Sequence, residues 1–205
     1  MTHPLTNDTI IASAIMPPWA KLDNVFNAEE MEQLISYCGQ FKLDEGLIGS
    51  FDKLKSDKEL RKSQIKMLES NAETQWIFER LNAAIFDANS FFFRFDLVGY
   101  DFLQYTEYSN FGDNYGFHTD MSYGKDGRAE PHAHRKLSFS LILSDETEYQ
   151  GADLEFMVST DEKVKCQQKK GDLILFPAWV LHRVTPIISG TRKSLVGWVT
   201  GPKFK

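Results

Sequence analysis

The 205-residue chain lacks the glycine signatures of nucleotide chemistry. It has no Gly-x-x-x-x-Gly-Lys phosphate loop, no Gly-x-Gly-x-x-Gly fingerprint and no Gly-x-Ser-x-Gly elbow, so nucleotide-driven and serine-hydrolase readings have no anchor. It has only two cysteines, Cys38 and Cys166, far apart and outside any Cys-x-x-Cys pair. That excludes a disulfide framework and suits a reducing compartment. No run approaches the roughly 18–20 apolar residues that span a bilayer. The first ten residues are polar, with no basic segment leading into an apolar one, as a signal peptide requires. The expectation is a soluble, cytoplasmic protein without a membrane partner. Positive charge is also scarce: the formal net charge is −6, which speaks against a general grip on nucleic acid.

What is present is ordinary for a globular protein, at 42% hydrophobic and 25% charged residues, and the length suits one domain over 1–205. The amino-terminal part reads as helical. Asn27 with Glu30 makes a capping pair, and Met31, Leu34, Ile35 and Cys38 follow at helical spacing. A mixed-charge stretch, 52–66, leads into a strand near Gln64 to Leu68. Residues 72–88 repeat the helical pattern through Trp76, Ile77, Leu81, Ala84 and Ile85. After Asn89 the period changes: 91–97, 101–107, 136–144, 154–158, 171–176 and 193–200 read as strands separated by turn residues. No helical pattern separates the later strands, so a βαβ sheet is excluded. The expected class is mainly β with N-terminal helices (α+β): residues 1–90 as a helical outer layer, and 91–205 as a barrel or double-sheet jelly-roll core.

His118-Thr119-Asp120 is the first chemical signal. In an extended strand, residues two apart share a face, so imidazole and carboxylate can converge on one ion. By itself the pair also fits an exposed loop. His182 supplies a third donor, after the turn-strand unit Gly171 to Pro177 that can return the chain beside the first motif. Alone it reads equally as a hydrogen-bonded histidine at a strand end. Two histidines and a carboxylate on one face of an ion leave positions open, which suits a non-haem iron(II) oxygenase; a structural zinc site would close with four protein ligands. Ten residues on, Arg192 can grip a carboxylate bidentately, with Ser194 on the same strand face adding a hydroxyl. That pairing matches the far carboxylate of a 2-oxo diacid. A surface arginine beside Lys193 is the plain alternative.

The ordered text around these residues resembles a known family. Leu103-Gln104-Tyr105 precedes His118-Thr119-Asp120; Arg135-Lys136-Leu137-Ser138, Gly151-Ala152-Asp153-Leu154 and Gly171-Asp172-Leu173 follow. Leu181-His182-Arg183-Val184-Thr185-Pro186 and Gly190-Thr191-Arg192-Lys193-Ser194 complete the set. Together they resemble the prolyl-4-hydroxylase-like branch of the iron(II)/2-oxoglutarate dioxygenases, near the PKHD-type hydroxylases, over about half the chain. The resemblance implies a double-stranded β-helix and a hydroxylase of unactivated C–H bonds, with succinate and CO2 as co-products. Fe(II) falls to His118, Asp120 and His182, which are both the metal ligands and the catalytic set. 2-Oxoglutarate falls to Arg192, Tyr105 and Ser194; O2 is consumed, and ascorbate is the expected stimulant. Asp120 favours hydroxylation, because a halogenase vacates that position for halide. The implied substrate is a prolyl or other residue of a protein or peptide; a small molecule is the alternative, and no motif reads either. Oxygenases of the superfamily acting on nucleic acid usually carry further arginines downstream of the distal histidine, whereas here only Lys203 and Lys205 follow Lys193.

Ala152 departs from the family's second glycine, and Met121 to His134 forms a longer connection than the family needs, either a lid or a solvated loop. His132, His134 and the lysines at 163, 165, 169 and 170 read as surface, His3 as part of a loose terminus, and Trp179 and Trp198 as core or pocket wall. Two other classes stay open: a non-catalytic jelly-roll module binding metal or a small acid, and a zinc hydrolase, in which Arg192 has no task.

Overall fold

The computed structural model describes residues 16–48, 56–121 and 134–203. The connection on which the expected lid depends, 122–133 with His132, lies outside them, as does His3. The chain enters through β1 (Ala20–Leu22) and α1 (Ala28–Cys38). Helix α1 begins on a reciprocal cap: the Asn27 side chain accepts from the Glu30 amide at 2.9 Å, and the Glu30 carboxylate accepts from the Asn27 amide at 3.0 Å. Its buried stripe is Met31, Leu34 and Cys38. Three short strands follow, β2 (Asp44–Glu45), β3 (Arg61–Lys62) and β4 (Gln64–Leu68), then α2 (Gln75–Ala88), which buries Ile77, Leu81, Ile85 and Ala88.

The aromatic run after α2 is not the strand that its composition suggests over 91–97. Residues Asn89–Phe93 form a π-helical turn, and Arg94 takes a left-handed conformation at φ 59°. Asn89 clamps the turn from both sides: its amide donates to the Phe95 carbonyl at 2.9 Å, and its oxygen accepts from the Phe95 amide at 3.0 Å. A short apolar run reads alike as strand or as buried helical turn, and a local side-chain bracket decides it here.

Ten strands follow: β5 (Gly99–Tyr108), β6 (Asn114–His118), β7 (Arg135–Ile142), β8 (Tyr149–Gly151), β9 (Leu154–Met157), β10 (Lys163–Lys165), β11 (Leu173–Pro177), β12 (His182–Val184), β13 (Ile187–Gly190) and β14 (Arg192–Thr200). They build a seven-stranded sheet, β1-β11-β7-β14-β5-β4-β2, a five-stranded sheet, β10-β9-β12-β6-β3, and the pair β13-β8. The strand pairings are all antiparallel, and the architecture is the expected jelly roll. Residues 1–90 are not a purely helical layer, however. They give β1, β2 and β4 to the larger sheet and β3 to the smaller one. Of these only β4 was legible, as the strand expected near Gln64 to Leu68; strands of two or three residues carry too little alternation to be read locally, and long neighbours impose their pairing.

The faces of the larger sheet differ sharply. Strand β7 is buried throughout. Leu137, Phe139 and Leu141 pack with Leu103, Leu173, Leu175 and Leu195 against α1 and α2. Each such side chain contributes about 1.5–3 kcal/mol, so this layer is the main anchor of the fold. The intervening positions face away from the helices: Ser140 pairs with Ile174 and Val196, and Ser194 with Ile142 and Thr106. That inner face therefore buries Thr106, Ser138, Ser140, Arg192 and Ser194, a polar interior that suits a polar ligand. Among the described residues no helix is long and apolar enough to cross a membrane.

Gly190 ends β13 at φ +77°, and a Cβ there would lie 2.0 Å from the Glu148 carbonyl oxygen. Left-handed backbone and a backbone clash combine, so Gly190→Ala is expected to cost about 3 kcal/mol or more. Thermal melts should fall by roughly 6–12 °C; an unchanged melt would contradict this packing.

Candidate metal centre

Strands β6 and β12 pair antiparallel with His118 directly opposite His182. Two residues along β12, Val184 pairs with Tyr115, three residues from His118, so β6 carries an extra residue. This bulge turns Tyr115 and His118 to one face, where their rings stack at 3.6 Å and 14°. The strand is close to Leu60 here: the Gly116 amide donates to the Leu60 carbonyl at 2.7 Å, and a Cβ would sit 2.8 Å from Leu60 Cδ1, so a larger residue would have to displace the leucine side chain. The Arg61 guanidinium covers the other end of the column, 4.7 Å from the Tyr115 ring centre.

Both imidazoles are oriented alike. His118 Nδ1 donates to the Gly116 carbonyl at 2.8 Å, and His182 Nδ1 to the Val180 carbonyl at 2.9 Å. This leaves each Nε2 with its lone pair free. The Nε2 atoms lie 3.6 and 3.5 Å from the two carboxylate oxygens of Asp120. One donor atom from each residue falls within 4.8 Å of the others.

Asp120 does not reach this position by strand alternation. Strand β6 stops at His118, and Asp120 sits in a bend. The Ala178 carbonyl, from the turn between β11 and β12, accepts from the Asp120 and Met121 amides at 2.9 and 3.0 Å. Arg135 donates to the Asp120 carbonyl at 3.3 Å, pairs with Asp101 at 2.7 Å and lies 4.1 Å from the Trp198 ring centre.

Electrostatics prepares the donors. Burial, reinforced by His182, pushes the His118 pKa down to about 3 against the pull of Asp120, so the ring is neutral near pH 7. Burial opposes ionisation of Asp120, but His182, His118, Arg135 and the Ser138 hydroxyl outweigh it and hold the carboxyl below its usual range. The Ser138 hydroxyl, buried beside this carboxylate, has no well-formed hydrogen bond among the described residues. Two imidazole nitrogens, that of His118 neutral, and one carboxylate fit a first-row divalent ion that keeps positions open for other ligands.

The carboxylate-gripping pair is also placed. Arg192 is 2% exposed, and its Nη1 donates to Ser194 Oγ at 3.1 Å on the inner face of β14. Its Nη2 donates to Gln168 Oε1 at 3.4 Å. Tyr105 is not with them. It pairs with Leu195, on the helix-facing side of β5, contacts Phe41, and donates its hydroxyl to Glu107 at 2.5 Å. The tyrosine on the inner face is Tyr108, which pairs with Arg192 and lies 5.8 Å from its guanidinium. Burial raises the Tyr108 phenol above its usual range, while Arg61 and Arg192 oppose the rise and Asp113 and Asp120 add to it. Tyr108 is therefore within electrostatic reach of both the carboxylate ligand candidate and the arginine. Three site residues escaped the sequence reading: Tyr108, Tyr115 and Arg135. The polar alternation Gln104, Thr106, Tyr108 was the available signal for the first. The bulge hid the second, and the third stood in the block Arg135-Lys136-Leu137-Ser138 without a role of its own.

The model of the 2OG-Fe(II) oxygenase superfamily matches residues 103–200, which contain His118, Asp120, His182, Arg192, Ser194 and Tyr108. Among curated relatives, the superfamily segment is 36% identical over 91 residues to a PKHD-type hydroxylase of Synechococcus sp. (strain CC9605), and 42% identical over 91 residues to one of Synechococcus sp. (strain CC9902). Each match covers 44% of this chain and 38% of the relative, so the chain spans less than half the length of the relatives it matches. Two solved structures extend the likeness of fold to nearly the whole chain. A Pseudomonas putida prolyl-4-hydroxylase aligns at a TM-score of 0.70 and 17% identity, covering 95% of this chain and 97% of that one. A prolyl hydroxylase of Trichoplax adhaerens, solved with a hypoxia inducible factor oxygen degradation domain peptide fragment, aligns at 0.69 and 15% identity, covering 89% and 83%.

Around Asp120 the Ala178 carbonyl and Arg135 stand where outer partners would orient a metal ligand. Arg135→Gln is expected to weaken divalent-metal affinity by about 10–100-fold, read by titrating metal into metal-free protein. Unchanged affinity would show that Ala178 alone positions Asp120.

Proposed function

We propose that the protein is an iron(II)- and 2-oxoglutarate-dependent hydroxylase acting on a C–H bond of a prolyl or other residue in a protein or peptide. One observation carries the reading: His118 and His182 present free Nε2 atoms to the two oxygens of a single buried carboxylate, Asp120. In this reading His118, Asp120 and His182 hold Fe(II), and Arg192 with Ser194 grips the far carboxylate of 2-oxoglutarate. When bound, the iron and the oxo acid supply the activation of O2 and the removal of hydrogen from an unactivated C–H bond, with succinate and CO2 as co-products.

The chain's own residues bind, orient and exclude. The Gly116 and Val180 carbonyls hold both rings by Nδ1, so each Nε2 is directed at Asp120. The bulge that stacks Tyr115 on His118 holds the ligand ring against rotation. Tyr108, buried between the arginine and the carboxylate, offers a neutral phenol that can donate to the oxo acid without adding negative charge. The acidic net charge and the peptide held by the Trichoplax relative both support a peptide substrate over nucleic acid.

The test is anaerobic addition of Fe(II) and 2-oxoglutarate to metal-free protein, followed by exposure to air. A weak visible charge-transfer band, and then slow succinate formation without substrate, are the expected results. Absence of both would favour a non-catalytic binding module. Peptide libraries containing proline, screened for a gain of one oxygen, would then test the substrate class.

A further inference from the structure

The loop between β10 and β11 places a neutral amide behind the arginine of the site. Gln168 Oε1 accepts from Arg192 Nη2 at 3.4 Å, while its amide nitrogen donates to the Ser140 carbonyl at 3.2 Å. A carbonyl can only accept, so the nitrogen must face Ser140 and the oxygen must face the guanidinium. The amide is thus oriented by its network. Beyond it opens a cavity of about 340 Å³ whose lining includes Tyr149, Asp153, Leu154, Lys165, Gln168 and Arg192. The cavity meets β9 at Leu154, which pairs with Val184; His182 pairs further along, with Phe156. The cavity therefore approaches Arg192 from the start of β9, at the other end of the strand pair from the histidine.

We propose that Gln168 is the back wall of the oxo-acid subsite and sets the length of the diacid accepted there. The inference rests on the hydroxylase reading above. Gln168 is half-buried and lies against the guanidinium where both border the cavity, so its side chain occupies space into which Arg192 could otherwise retreat. It does so without charge. A glutamate at this position would pair with Arg192 and compete with an incoming carboxylate, whereas the amide holds one N–H and leaves the positive charge for the ligand. The cavity is not itself an anion site, because Glu146 and Asp153 line it alongside Lys165. Its relevance is as space: with the amide removed, Arg192 can swing back and a longer diacid can fit.

The experiment uses the full chain under anaerobic conditions and reads binding rather than turnover. Fe(II)-loaded protein is titrated with 2-oxoglutarate and with 2-oxoadipate, one methylene longer, following the charge-transfer band, with thermal melts of each variant alongside. The wild type should prefer 2-oxoglutarate by about tenfold or more, the discrimination usual for one methylene. Gln168→Ala should weaken 2-oxoglutarate about 3–10-fold and bring 2-oxoadipate to near-equal affinity. Gln168→Leu keeps the wall but loses the acceptor, so it should weaken 2-oxoglutarate while retaining the length preference. Gln168→Asn shortens the same amide and should shift the preference in smaller measure, which covers an alanine variant that fails to fold. A wild-type band with an unchanged preference in both the alanine and the asparagine variants overturns the inference, as does equal weakening of the two acids in both. A wild type with no band overturns the hydroxylase reading on which it rests.

Discussion

Asp120→Ala is expected to abolish metal-dependent behaviour while leaving the metal-free fold in place. Among the described residues the side chain supplies the carboxylate between two imidazoles whose Nε2 atoms lie 3.6 and 3.5 Å from it. Losing an outer partner of a metal site costs about 10–100-fold in affinity, and losing a ligand costs more. Fe(II) binding should therefore weaken by more than about 100-fold, and the charge-transfer band with 2-oxoglutarate should vanish. Stability should move differently. The neighbouring groups outweigh burial and hold this carboxyl below its usual range, so its ionised form favours the folded chain near pH 7, and removing it is expected to lower the metal-free melt slightly. The contacts that hold the bend survive in the variant, because they run through the Asp120 backbone to Ala178 and Arg135. In the wild type Fe(II) should raise the melting temperature by mass action, and in the variant this rise should disappear. A variant that still melts higher with Fe(II) would move the metal away from these three residues.

Arg192→Ala is expected to separate the oxo acid from the metal. The guanidinium is 2% exposed, held by Ser194 and Gln168 and set against Tyr108. A buried, charge-assisted grip on a carboxylate contributes about 3 kcal/mol, so the variant should need roughly 100-fold more 2-oxoglutarate to reach the same band. Fe(II) affinity measured without oxo acid should be unchanged. Arg192→Lys keeps the charge and loses the fork, and should fall between wild type and alanine. Equal 2-oxoglutarate affinity in all three would assign the far carboxylate to another residue.

These two expectations rest on different kinds of legibility. The donor types and their order were present in the chain: His118 with Asp120, then His182, then Arg192 with Ser194. Patterning likewise announced helices before strands, because a capped amphipathic helix and an alternating strand are local in origin. The capping pair at Asn27 and the buried stripe of α1 fell where spacing put them. The jelly roll followed from strands without intervening helices.

What local pattern could not decide was phase and convergence. Alternation along a strand says that Tyr105 and Tyr108 face opposite ways, but not which face holds the ligand. Pairing with β14 settles it, placing Tyr108 with Arg192 and Tyr105 with Leu195 under the helices. The bulge in β6 breaks the two-residue period, so Tyr115 joins His118 three residues away. Asp120 arrives through the Ala178 carbonyl, 58 positions later in the chain, and not through the strand geometry that makes a His-x-Asp pair attractive on paper. The aromatic run after α2 became a π-helical turn because one asparagine clamped it. Sequence alone determined which chemical groups were available and the class of fold that carries them, since composition and period are properties of the chain. Register, the bulge and the Ala178 contact belong to the assembled sheets, because each depends on hydrogen bonds between segments that only folding brings together.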